Sequence, residues 1–223
     1  MGVPCVRHQN LDLPPPYTEV ALREAGDAFT RAIAEAEAGA GAGLLVWVRR
    51  MGQCDCAVIL EPEEKLAEAQ HVILAGMAAL ADALNAISPP EKPLTLVWPD
   101  QVLFDGGLIG GGRLAWPADC TPRDVPAWLV FGFTLRTLAD EPPGATPPAA
   151  LIDDGFDDFE NGPFIESFAR HLMLALDEWQ QGGKKAALAS FRRYGKSAKG
   201  DLALALQSPS WLDGEEIAHG PTA

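Results

Sequence analysis

Two apolar runs, Val102 to Phe104 and Leu108 to Trp116, flank Asp105-Gly106-Gly107. Asp-Gly and Gly-Gly supply the positive φ that a tight turn requires, so the two runs are predicted to pair as an antiparallel hairpin. That pairing commits the chain to a sheet whose exposed edges and faces the remaining segments must extend or cover.

Several segments extend it. Leu44 to Arg49 and Cys54 to Leu60 are strand-length apolar runs, and Met51-Gly52-Gln53 can turn the chain between them. Leu94 to Trp98 and Ala127 to Leu135 read as further strands, and Asp201 to Leu206 as one more in the tail. Other segments cover it. Leu22 to Ala38 reads as an alanine-rich helix with Phe29 and Ile33 on one face, ended by the glycines of Gly39 to Gly43. Glu63 to Ile87 reads as one long helix, with Leu66, Val72, Ile73, Met77, Leu80 and Leu84 near a 3.6-residue period. Phe164 to Gln180 and Lys184 to Tyr194 read as two helices parted by Gly182-Gly183. Leu138 to Ala150, rich in proline, glycine and alanine, reads as a loop.

Helices alternate with strands while hairpins also occur. The predicted fold class is therefore α/β (α+β): a mixed, largely antiparallel sheet packed with helices. Residues 1–16 are an extended lead-in through Pro14-Pro15-Pro16, residues 17–194 one domain, and residues 195–223 a tail or the remnant of a small C-terminal domain.

Charge narrows the partners. With 31 acidic against 17 basic residues the net charge is −14. Phosphate backbones and anionic membrane surfaces both require basic patches, so neither nucleic acid nor membrane is expected. The basic residues Lys184, Lys185, Arg192, Arg193, Lys196 and Lys199 read as a solvated helix surface. Met1 to Leu13 holds no apolar stretch of signal-peptide length, and no run of about 18 apolar residues occurs, so a cytoplasmic protein with reduced thiols is expected. Cys54-Asp55-Cys56 places two thiols on one side of a strand, with no second ligand pair to complete a zinc site. In Asp153 to Gly162 an EF-hand reading fails, because Asp158 and Phe164 occupy the Gly and Glu positions. No metal is expected.

The block Thr95-Leu96-Val97-Trp98-Pro99-Asp100-Gln101-Val102-Leu103 resembles the "(K)WPND(I/L)" motif of the biotin/lipoate protein ligase family. The hairpin strand Gly107-Leu108-Ile109-Gly110-Gly111-Gly112-Arg113-Leu114 resembles that family's "K-(I/L)-(A/G)-G-(I/V)-L". Leu129-Val130-Phe131-Gly132-Phe133-Thr134-Leu135 resembles the strand that follows it. The resemblance spans Tyr17 to Asp201 and implies the family's catalytic-domain fold. It implies a ligand site built from Trp98, Asp100, Leu108, Gly110, Gly111, Gly112, Gly132 and Thr134, with Trp98 and Gly111 at one cleft. It also implies a nucleotide-loop equivalent at Gly41 and Gly43. The bound molecules it implies are biotin, lipoate or ATP. The implied partners are a small carboxylic acid and a biotinyl or lipoyl carrier domain. Many family members add a small C-terminal β-barrel, for which the residues after Tyr194 are too few.

The departures bear on chemistry. The family lysine aligns with Leu108, and no lysine lies between Lys92 and Lys184. The glycines of Gly39 to Val46 carry no arginine, the first being Arg49. Ligases of this family join a carboxylic acid to ATP before a carrier lysine attacks. Losing one fixed donor to such a charged transition state commonly costs about 10²–10³ in rate. Arg113 and Arg136 are the cations that could enter the space of the missing lysine, and a cysteine thioester route would need Cys120, around which no matching motif stands. The two readings are an acyl- or biotinyl-transfer enzyme with altered groups, and a non-catalytic module that keeps the pocket or the carrier-docking surface. In an acidic chain with so few cations near its glycines, ATP with magnesium is expected to bind weakly. Calorimetry returning a low-micromolar dissociation constant would contradict that.

Overall fold

The computed structural model describes residues 10–139, 149–195, 201–206 and 211. Seven strands form one sheet in the order β1-β2-β3-β7-β6-β5-β4. They are β1 (Thr18–Arg23), β2 (Leu44–Arg49), β3 (Gln53–Leu60), β4 (Leu94–Val97), β5 (Gln101–Phe104), β6 (Gly107–Ala115) and β7 (Leu129–Arg136). Only β1 and β2 run parallel; every other neighbouring pair is antiparallel. The sheet is thus mixed and largely antiparallel, as the alternation of hairpins and helices predicts. The β5–β6 turn is Asp105-Gly106, with positive φ at both residues (49° and 84°), the backbone a two-residue hairpin demands.

The helices are α1 (Ala28–Glu37), α2 (Leu66–Ala69), α3 (Val72–Asn85), α4 (Asn161–Arg192) and α5 (Leu202–Ala205). Three sequence expectations are corrected. The segment expected to begin a helix at Leu22 is strand β1 as far as Arg23, and α1 starts only after Asp27 caps it through Thr30 N–H at 2.9 Å. β-Branched Thr18 and Val20 and the parallel pairing with β2 outweigh the alanine-rich helix signal that begins downstream. The long helix expected over Glu63 to Ile87 is α2 and α3, separated at Gln70 and His71. Asp201 to Leu206, expected as a strand, is the short helix α5, capped by the Asp201 carboxylate on Ala203 N–H. The glycine break in α4 is where the sequence puts it: Gly183 has φ 55°, and Glu178 and Ser190, on either side of the bend, are joined by a 3.0 Å hydrogen bond.

The main core lies between α3, α4 and one face of the sheet, around Phe104, Phe131, Phe133, Phe168 and Phe191. A smaller cluster lies under α1 on the other face, with Val46, Val48, Ile59 and Val130. Helix α3 is buried nearly all round, which explains its weak amphipathicity. Cys54 and Cys56 are buried in the main core, and both thiols are pushed upward by burial first and neighbouring charge second. Among the described residues no helix is long and apolar enough to cross a membrane.

α3 approaches the sheet closely through Gly76, where a Cβ would fall 2.5 Å from the Phe131 ring. Alanine is the better helix former by roughly 1 kcal/mol. Even so, Gly76→Ala is expected to lower stability by about 1–3 kcal/mol through overpacking, read by urea denaturation.

Candidate functional site

Side chains alternate along each strand, so β3, β7 and β6 present a second face away from α3 and α4. Asp55, Gly132, Thr134, Arg136, Gly111 and Arg113 belong to that face, in the registers Asp55↔Thr134, Gly111↔Thr134 and Arg113↔Gly132. The face is polar and largely buried. Asp55, 3% exposed, is paired with Arg50 and hydrogen-bonded by Thr134, itself 4% exposed. Burial raises the Asp55 carboxyl above its ordinary range, and Arg50 and Thr134 pull against that shift without overcoming it.

A second ion pair sits beside it. Arg113 Nη1 and Nη2 donate to the Asp27 carboxylate at 3.0 and 3.1 Å, and the guanidinium lies 4.5 Å above the Phe29 ring. Burial works to raise the Asp27 carboxyl, but Arg113 and the N–H groups of Thr30 and Phe29 hold it below its ordinary value. Arg50 Nε and Arg113 Nε are buried without an acceptor.

The end of the face carries the lysine position. Arg136 Nη1 donates to the carbonyls of Leu108 at 3.2 Å and Ala149 at 2.8 Å. Leu108, Gly110, Thr134, Arg136, Gln53 and Trp211 enclose a cavity of about 20 Å³. That holds roughly one water. Gly110 is required there: its φ is +151°, and a Cβ would fall 2.0 Å from the Thr134 carbonyl. Of the two cations singled out in the sequence, Arg136 bonds the backbone of Leu108 and lines the same cavity, while Arg113 pairs with Asp27. The nearby β2–β3 turn, Arg50 to Gly52, is pinned to the start of α4 by Asn161 Nδ2, which donates to Arg50 O and Gln53 O at 3.0 and 2.9 Å. On that same turn lies a cleft of about 710 Å³, lined by Trp47, Arg49, Arg50, Met51, Leu138 and Phe159 among others.

The predicted site residues do not all meet. Leu108, Gly110 and Thr134 line one cavity, with Gly111 beside it under Trp211, and Gly132 lies on the same face beneath Phe29. Trp98 and Gly111 do not share a cleft. Val97 pairs with Gln101 and Gln101 with Gly111, so alternation turns Trp98 to the other face, edge-on to Phe191 with ring centroids 5.7 Å apart. Trp98 lines a separate 370 Å³ pocket with His71, Lys184 and Arg192. Gly112 also faces the helices, against Met77, and its N–H donates to the carbonyl of buried Asp100 at 2.7 Å. Gly41 and Gly43 sit in the α1–β2 connection. Gly43 lines a pocket with Pro16, Tyr17 and Leu60 at the opposite end of the strands from Gln53 and Arg136. Cys120 is in the β6–β7 loop, and burial, then Asp124 and Asp119, push its thiol up, the wrong direction for a nucleophile.

Sequence reasoning missed Arg50, Asp55, Asp27 and Trp211. Arg50 and Asp55 stand on either side of the β2–β3 turn, where an acid inside an otherwise apolar strand is the available signal.

A seven-stranded mixed sheet with α3 and α4 on one face, and with α1 beside a polar, arginine-bearing patch on the other, defines an α/β domain. Residues 13–193 match the model of the biotin/lipoate A/B protein ligase family, and the chain belongs to that family. It is similar to a biotin protein ligase-like protein of unknown function from Silicibacter sp. TM1040. That structure is 30% identical with a TM-score of 0.76, over 83% of this chain and 81% of that one. It is 29% identical over 148 residues to the biotin–[acetyl-CoA-carboxylase] ligase of Paracoccus denitrificans, and that match spans 64% of this chain and 59% of the relative's length. The biotin protein ligase of Aquifex aeolicus, solved in complex with biotin and ATP, shares the fold. It has a TM-score of 0.61 at 16% identity over 79% of this chain and 78% of that one.

Arg113→Leu is expected to leave the partly buried Asp27 charge unpaired. Fully buried pairs lose roughly 3–5 kcal/mol on such a break, so this half-screened pair should lose about 1–3 kcal/mol. The depressed Asp27 carboxyl contributes stability that is full above its ordinary value of 3.8 and is lost as pH falls through the lower folded value. Urea denaturation across a pH series should show that acid-side dependence weakened in the variant.

Proposed function

We propose that this chain binds a small carboxylic acid of the biotin, lipoate or fatty-acid kind on the β3–β7–β6 face, for acyl or biotinyl transfer to a carrier-protein lysine. The observation that carries the reading is Arg136. Its guanidinium is hydrogen-bonded to the backbone of Leu108, the residue standing where the family has its lysine. That guanidinium, which also donates to the Ala149 carbonyl, puts a fixed positive charge at this position, and such a charge stabilises developing negative charge in a water-poor setting. Asp55, Arg50 and Thr134 hold the floor of the site rigid. The orphan Nε–H groups of Arg50 and Arg113 are further donors on the same face. Family membership and the relatives named as biotin ligases support the ligand class.

A second reading, a binding module without catalysis, draws on one observation. Leu108 is an uncharged wall of the cavity, which favours an aliphatic ligand portion and supplies no charge of its own to an adenylate.

Pyrophosphate exchange and calorimetry with biotin, lipoate and octanoate decide between them. Under the first reading the parent protein supports exchange with one acid, and Arg136→Gln lowers it by about 10²–10³. Leu108→Lys then changes exchange little. Under the second, the parent binds an acid without exchange, and Leu108→Lys gains activity. If none of the three acids binds parent or variants, the carboxylic-acid reading falls.

A further inference from the structure

Resting on the β3–β7–β6 face as the ligand site, we propose that Trp211 is the chain's own occupant of that site and that a ligand enters by displacing its indole.

The placement of Trp211 is unlike that of the other buried aromatics. It is 5% exposed, yet it belongs to neither apolar cluster. Its pyrrole ring lies close against the backbone of β6: a Cβ on Gly111 would fall 2.4 Å from both Cδ1 and Nε1 of the indole. Only a residue without a side chain admits a ring at that distance. The ring is also oriented. Trp211 Nε1–H donates to the Gly112 carbonyl at 3.0 Å. The indole closes the cavity of about 20 Å³ whose other walls include Leu108, Thr134 and Arg136.

Ligand pockets for small organic molecules commonly measure about 300–1,000 Å³. The space left beside Trp211 cannot admit one, so the indole and the ligand compete for the same floor. What the indole uses defines what can replace it: a group in close contact with Gly111, a donor to the Gly112 carbonyl, and an anionic end toward Arg136 on the wall of the same cavity. A site covered most of the time binds with an apparent affinity reduced by the fraction uncovered. Trp211 therefore sets both access and apparent affinity.

The test reads the cover separately from the ligand. In the parent protein the Trp211 indole N–H, identified as the resonance missing from Trp211→Phe, is expected to exchange with solvent at least ~100-fold more slowly than an exposed indole. A thiol introduced by Leu108→Cys reports access to the cavity. Adding Trp211→Ala to that variant is expected to raise its rate of maleimide labelling at least ~10-fold. Trp211→Leu repeats the measurement if the alanine variant fails to fold. In calorimetry, Trp211→Ala in the otherwise unaltered chain is expected to bind biotin, lipoate or octanoate ~10-fold or more tightly than the parent. An unprotected indole, unchanged labelling, or equal affinities for an acid that binds overturns the proposal. Faster labelling with no acid bound by parent or variant leaves Trp211 as the cover and removes the carboxylic-acid reading instead.

Discussion

The fold depends on how closely α3 can lie on β6 and β7. Two positions set that distance. Gly76 on the helix faces the Phe131 ring, and Gly112 on the strand faces Met77, where a Cβ would be 2.5 Å from the sulfur. Interiors are packed to crystal density, so a single methyl at either contact must push the layers apart. With those side chains absent, Phe131, Phe133 and Phe168 pack face and edge in one continuous core, with ring centroids 4.8–6.2 Å apart. The glycines read in the sequence as a floor for a flat ligand therefore serve two sides. Gly112 admits a helix and Gly111 admits an indole.

The electrostatics follow from the same layering. Helices α3 and α4 cover one face with apolar packing; on the other, beside the smaller apolar cluster under α1, Arg50 pairs with Asp55 and Arg113 with Asp27, and Thr134 hydrogen-bonds Asp55. In a chain of net charge −14, arginines committed to this one face are a local departure from the acidic whole. Ion pairs inside a protein offset their desolvation only with good geometry and further hydrogen bonds. The bidentate Arg113–Asp27 contact, stacked on Phe29 and capping α1, has both.

Strands with their own turn chemistry were legible in the sequence: Asp105-Gly106 fixes its hairpin locally, and Gly183 breaks α4 where no other residue tolerates that backbone. β1 was not, because among the described residues it pairs with β2 alone, and parallel pairing leaves no turn between neighbours to read. The α2–α3 break was hidden by an apolar period that runs through Gln70 and His71. That Leu108, Gly110 and Thr134 would stand together was legible because motif and strand register agree. Trp98 was misplaced because the motif says nothing about which face a residue takes at the end of β4. Trp211 carried no signal, since its partners are backbone atoms of a strand remote in sequence.

The central position of β7 has a consequence for when this surface exists at all. β3 belongs to one hairpin and β6 to another, each closed by a short turn. β7 joins them, pairing Arg136 with Gln53 and Leu135 with Gly110. Closing such long loops costs more chain entropy than closing a hairpin, though the cost grows only with the logarithm of length. Asp55 and Gly111 stand on opposite sides of Thr134, so neither hairpin alone carries a usable fraction of the site. A chain with both hairpins formed but β7 unpaired would hold both halves of the surface and none of its geometry, which ties any binding by this face to the seating of β7.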